Sequence, residues 1–296
     1  MDAPATTAQI DATAAVLEAV GDFLGGPHEH GDGWCFEFGH HLEANWGTVY
    51  GGALAASTLA VARDVAPDRV PCSVHLQMIR SVPAGATSAT VSVRHAGRTV
   101  STVEVNLFDP RGKPAVIALA TMVNPAAVAA DLNDARATPF ETSPFEVTLL
   151  GKETAPIVDA IATGLREPDG SVSTAAYHVT NRRPSVEGSL AVWSTCVVPW
   201  DDLDHTGPEA ACLLADTMVG FPILQSSLPD EAHGPNPDLT LRFTTAPATK
   251  VLTGASMLLS VQHGTVTTGI EVHAGDQQLA HGLATSLLLD RQLSIS

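Results

Sequence analysis

The chain has 296 residues, 45% of them hydrophobic and 16% charged, which describes a globular protein with room for two domains of ordinary size. With 32 acidic against 15 basic side chains the net charge is −17, so the global field repels nucleic acid and anionic membranes, and a polyanionic ligand would need a local basic patch. The 4 cysteines are far apart and form no CxxC pair, which argues against a zinc or redox motif. No apolar run reaches spanning length, and the acidic N-terminus lacks the apolar region of a secretory signal; the expectation is a cytoplasmic protein without membrane or nucleic-acid partners.

In chain order, the apolar spacing of residues 8–24 predicts an amphipathic helix ending at Gly25 and Gly26, part of an N-terminal extension over 1–29. Residues 34–46 begin strand-like and loosen into a loop. After the paired Gly51 and Gly52, the run ALAASTLAVARD is small or apolar on every side, which predicts a helix at about 51–64 buried all round. Strands are expected at 70–82, 88–96, 99–109 and 115–124, rich in Val, Thr, Ile and Ser and separated by turn residues. His75 in the first of these is expected to be a packed or edge residue. Arg98 and the hairpin FDPRGKP (108–114) hold most of the local positive charge, either as solvated turns or as contacts to phosphates. Residues 126–170, with scattered prolines and little alternation, read as a connector. Possible strands at 172–180 and 189–198 follow, then a second apolar helix at 208–219, opened by Pro208 and closed by Gly220. Strands close the chain at 238–245, 251–261, 265–273 and 278–289.

The two halves can be superposed. HLQMIRSVP resembles DLTLRFTTAP, RTVSTVEV resembles GTVTTGIEV, and ALATMV resembles GLATSLL, in one order and at offsets of 164 to 167 residues. An internal duplication accounts for this better than chance similarity among Val- and Thr-rich strands. The expected fold is α+β, a tandem (double) hotdog with two antiparallel sheets each wrapped around a central helix: an N-terminal hotdog domain over 30–125 and a C-terminal one over 171–296.

Asp216 stands in ACLLADTMVG, where Thr217 is the only other polar near neighbour. An ionised group there is costly unless compensated, and a raised pKa would make it a usable base near neutral pH. The first helix carries Leu59 at the corresponding position, counted from the helix start, and has Gly51 and Gly52 at its N-terminus where the second has Gly207 and Pro208. Backbone N–H groups at a helix start lack internal partners and can meet an anion or a thioester oxygen.

VYGGALAAS, SVHLQMIRSVPAG and LLADTMVG resemble the double-hotdog acyl-CoA thioesterases of the thioesterase II (TesB-like) type, over about residues 30–290. The resemblance implies hydrolysis of a fatty or related acyl-CoA to free acid and CoA, with no metal and no organic cofactor. It also implies a site shared between the two units, so that Gly51 and Gly52 face Asp216. Asp216 would be base or nucleophile, Gly52 the oxyanion donor, and Asn236 would stand at the position of the family's water-positioning Thr. Tyr50, Gly51, Thr217, Thr240 and Thr285 are the expected substrate-binding residues. The family's Gln falls near Ala284, which can neither donate nor accept, leaving Thr240, Thr285, Gln277 or Gln278 to compensate. Sheet edges leave further self-assembly open. The alternatives are a non-catalytic acyl-CoA binding protein and a hotdog hydratase using Asp276 and His281; no GxSxG elbow supports a serine hydrolase. PHEHGDGW and the pair His40–His41 read as a solvated loop rather than a metal site.

Overall fold

The computed structural model describes residues 18, 20–31, 33–44, 47–128, 178–179, 191–197, 207–220, 222–223, 234–244, 251–275 and 277–289. The expected connector beyond residue 128, most of the expected N-terminal helix at 8–24 and most of the expected strand at 172–180 lie outside the described residues, as do Asn45, Trp46 and Asp276.

Two helices form the centre of the molecule: α1 (Gly51–Val65) and α2 (Gly207–Val219). Every residue from Gly51 to Arg63 is buried, as a helix without a polar face requires. Among the described residues, twelve strands surround the pair: β1 (His28–His30), β2 (Gly33–Phe38), β3 (Val70–Met78), β4 (Gly85–Ala96), β5 (Val100–Phe108), β6 (Pro114–Val123), β7 (His178–Val179), β8 (Ala191–Val197), β9 (Asp238–Phe243), β10 (Val251–Gln262), β11 (Thr265–Ala274) and β12 (Gln277–Leu287). Their order across the sheet is β1-β2-β4-β5-β6-β3-β9-β12-β11-β10-β8-β7.

That order repeats about its middle. Each half has two strands, a helix and four more strands in sequence, and β1-β2-β4-β5-β6-β3 is mirrored by β7-β8-β10-β11-β12-β9. The three sequence matches fall on β3 and β9, β5 and β11, and β6 and β12. At the centre, Ser73 pairs with Arg242, His75 with Thr240 and Gln77 with Asp238. His75 and Thr240 are 165 residues apart, and that same offset carries Ser73 onto Asp238 and Gln77 onto Arg242, so the ladder maps onto itself.

One feature departs from expectation: the strands form one continuous sheet, not two. Pairing of β3 with β9 satisfies backbone groups that each half would otherwise leave along an open edge. The alternation of β9 puts Leu239 and Leu241 in the core and turns Asp238, Thr240 and Arg242 to the outer face. His75 is therefore a central residue rather than an edge one, half-buried with Nδ1 2.6 Å from Thr240 Oγ1. The N-terminal helix closes over this core through Val20 and Leu24 and ends where expected: Gly25 adopts a φ of +72°, and a Cβ there would lie 1.9 Å from the Glu37 carbonyl oxygen. No helix among the described residues is long and apolar enough to cross a membrane.

Candidate active site

The site forms where α2 crosses the start of α1. Tyr50 caps α1 in extended backbone, and its carbonyl accepts from the Ala53 and Leu54 N–H groups at 3.1 and 3.3 Å. The N–H groups of Gly51 and Gly52 are left to look outward, and both donate to the carboxylate of Asp216. The same glycines allow the close approach. A Cβ on Gly51 would lie 2.7 Å from Asp216 Oδ1 and 2.8 Å from Met78 Sδ; one on Gly52 would lie 2.6 Å from the Cys212 carbonyl oxygen and 2.9 Å from Leu213 Cα.

These neighbours differ in kind, and a prediction follows. In Gly51→Ala the new methyl meets the ends of two side chains that can swing aside. In Gly52→Ala it meets the backbone of α2, so the helices must part, at a cost of about 1–3 kcal/mol. Urea unfolding should place Gly52→Ala clearly below Gly51→Ala; equal midpoints would mean the helices are not in this contact.

Asn236, just before β9, donates from Nδ2 to Asp216 Oδ1 at 3.3 Å and accepts from Ser286 Oγ at 2.6 Å. The amide orientation follows from chemistry, since a carboxylate can only accept. Burial pushes the Asp216 pKa up, and hydrogen bonds from Gly52, Asn236 and Gly51 oppose the rise without cancelling it. Burial also pushes the neighbouring Cys212 thiol well up, with Glu209 and Asp216 adding to the effect, so that it remains a neutral packing group.

The other expected site residues are placed differently. Thr217 follows Asp216 on α2, but its hydroxyl donates to the Leu213 carbonyl at 3.1 Å. Thr240 is bound to His75 on the outer face, and Thr285 faces outward opposite Asp238, whose Oδ1 accepts from the Thr285 N–H at 3.0 Å. Strand alternation thus takes both threonines away from Asp216. Gln277 and Gln278 begin β12, whereas its other end meets the Asn236 segment through the bond from Leu287 N to Pro235 O. At about 3.3 Å per residue, that is more than 20 Å from Asn236. None of these four can stand in for the family's Gln. Ala284 is buried, as its position on the inner face requires, and Ser286, two residues further along that face, supplies the polar group. His281 is exposed on the outer face. In the His pair, His40 bonds Glu43, while Nε2 of His41 lies 2.8 Å from the Phe23 carbonyl oxygen.

The opposite end of the helix pair is built from other residues. Pro208 offers no N–H, Leu59 is a fully buried packing residue, and Arg63 of α1 bonds Glu209 of α2 through Nε–Oε1 at 2.6 Å and Nη2–Oε2 at 3.3 Å. Two helices related by the duplication therefore present a carboxylate to N–H groups at one end and a buried ion pair at the other.

Solved structures share this fold. The chain is similar to a hot dog fold protein of unknown function from Alicyclobacillus acidocaldarius (16% identity, 97% of this chain and 99% of that one, TM-score 0.65). It is similar to a putative thioesterase II from Thermobifida fusca YX (14%, 91% and 98%, TM-score 0.66) and to acyl-CoA thioesterase II TesB2 from Mycobacterium marinum (15%, 92% and 96%, TM-score 0.60). At these identities the likeness is one of fold, the hotdog. More particularly, residues 42–123 match the family described as acyl-CoA thioesterase N-terminal domain, and VYGGALAAS and SVHLQMIRSVPAG lie within that match. No curated protein matches the chain significantly.

Proposed function

We propose that the protein is a tandem hotdog acyl-CoA thioesterase, with units at 30–125 and 171–296 sharing one site. The observation that carries the reading is the half-buried Asp216 carboxylate, brought from one unit to the N-terminal N–H groups of the other unit's central helix. An idle acid would be expensive there. Together with the thioesterase family match in the first unit, the arrangement supports thioester hydrolysis.

In the proposed reaction the thioester carbonyl approaches the start of α1 and takes the Gly52 N–H, while Asn236 and Gly51 keep hold of Asp216. Asp216 removes a proton from water, which attacks the carbonyl carbon, or attacks that carbon itself. The C–S bond then breaks and CoA leaves as a thiolate: in the first route it takes the proton that Asp216 removed from water, and in the second the acyl group stays on Asp216 as an anhydride that water hydrolyses, regenerating the carboxylate and releasing the acid, with the water's proton going to the thiolate. Loss of the Gly52 bond removes the largest of the interactions holding the Asp216 pKa down, so substrate binding would itself make Asp216 more basic. The test is thiol release from short, medium, long and aromatic acyl-CoAs. Binding without release across the panel would instead indicate an acyl-CoA binding protein.

The acid limb of the pH profile should reflect the same carboxylate. Asp216 must be ionised to act, and burial holds its pKa above the ordinary 3.8, so kcat/KM should fall with decreasing pH at a midpoint above that value. A profile flat to pH 4 would remove Asp216 from the role.

A further inference from the structure

The strongly acidic chain must still hold a polyanion if its substrate is an acyl-CoA, and among the described residues the topology separates Arg80, Arg111 and Lys113 from Arg98. β3 runs from the C-terminal end of α1 to Met78, which touches the Gly51–Asp216 contact, and Met78 N donates to the Pro237 carbonyl beside Asn236. The antiparallel partners of β3 place the β5–β6 hairpin (108–114) at this end and the β4–β5 hairpin, with Arg98, at the other.

The chain beyond Met78 forms a rim. The Ile79 and Arg80 N–H groups both bond the Ala115 carbonyl, the Arg80 guanidinium bonds the Pro114 carbonyl, and the Val82 carbonyl accepts from Val49 N, one residue before the Tyr50 cap. Arg80 thus ties the rim of the site to the base of the hairpin. At the tip, Asp109 Oδ1 is occupied by the backbone N–H groups of Arg111 and Lys113 at 2.9 and 2.8 Å, which fixes the turn and leaves both cationic side chains exposed. The Lys113 N–H above all holds the Asp109 pKa below its usual value, with the Arg111 N–H and the positive charges of Arg80 and Arg111 adding to it. Among the described residues, neither Arg80, Arg111 nor Lys113 forms a salt bridge. Residues 79–84 and 108–114 thus carry three cations and one acid in a chain of net charge −17, a charge balance opposite in sign to that of the protein as a whole.

We infer that Arg80, Arg111 and Lys113 anchor the phosphates of the CoA nucleotide, with the pantetheine arm running from the hairpin over the rim to Asp216. This rests on the thioesterase reading and adds to it which part of the substrate is recognised. Arginine suits the task, since its fork of N–H groups matches phosphate oxygens.

Calorimetric titration of the full-length protein with CoA, adenosine 3′,5′-bisphosphate and pantetheine tests the assignment. Wild type should bind CoA about tenfold or more tightly than pantetheine, and should bind the bisphosphate alone. Arg111→Glu should weaken both phosphate-bearing ligands by about tenfold or more, the loss expected for a charge-assisted contact. Lys113→Glu should weaken them in the same direction. Arg98→Glu, the same charge change at the far end, should leave both affinities near wild type. Unchanged affinity in Arg111→Glu, or an equal loss in Arg98→Glu, overturns the proposal. Its failure is distinguishable from failure of the enzymatic reading: CoA binding that depends on Arg111, without thiol release from any acyl-CoA, would refute hydrolysis and leave the anchor standing.

Discussion

Asp216→Asn is expected to lower kcat/KM for acyl-CoA hydrolysis by about 100- to 10,000-fold while leaving the protein at least as stable as wild type. The two halves of this expectation have one cause. Burial holds the folded pKa of Asp216 above its unfolded value, so the folded state binds the proton more readily than the unfolded one. The resulting penalty on stability is absent below the unfolded pKa, develops as pH rises between the two values and is complete above the folded pKa. Asparagine carries no charge and escapes it. The site accommodates the change: an amide oxygen can still accept from Gly51 and Gly52, and the Asn236 amide can turn because the Ser286 hydroxyl serves as donor or acceptor. Thiol-release kinetics and thermal melts at pH 7 and pH 4 measure both effects, and the Tm advantage of the variant should shrink at the lower pH. An active variant, or an inactive one that melts far below wild type, would show that Asp216 serves the fold rather than the chemistry.

Much of this arrangement was legible in the sequence because its signals are local or repeated. A helix apolar on every side has to be central, so the runs after Gly51 and after Pro208 located α1 and α2 to within about a residue at each start. The repeat offset located the strand pairs. The meeting of Asp216 with Gly51 and Gly52 could be anticipated from the loneliness of one carboxylate and the family resemblance together. The faces of the strands were less accessible. Thr240 and Thr285 are close in sequence to the site segments, but whether they face α2 or the outer surface depends on the register of β9 against β3 and β12, set by pairing between halves. Ser286 was within reach: alternation from the inward-facing Ala284 leads directly to it. The join of two expected sheets into one had no local signal, since the alternation of buried and outward residues along β9 is the pattern an unpaired edge strand would also show.

Breaking the ion pair at the other end of the helices should have the largest effect on stability. Arg63 is in the last turn of α1 and Glu209 in the first turn of α2, each placed favourably for its helix dipole, and both are buried, with Glu209 fully so. Arg63→Met removes the guanidinium and leaves a carboxylate with no solvent to take its place, which should cost about 3–5 kcal/mol. The pair Arg63→Met and Glu209→Met removes both charges from a site of the same volume and should recover most of that loss, because desolvating two ions consumes much of what their attraction provides. Urea midpoints of the single and double variants measure the difference, and a single variant costing under about 1 kcal/mol would mean that solvent reaches the pair. Catalysis should be preserved in whichever variants remain folded, since twelve residues of helix, about 18 Å, separate Arg63 from Gly51. The duplicated helices thus end in two different uses of buried charge: at one end a carboxylate whose pKa burial raises although neutral N–H groups hold it down, as the proposed chemistry requires, and at the other a carboxylate matched by a cation, which ties the two helices together.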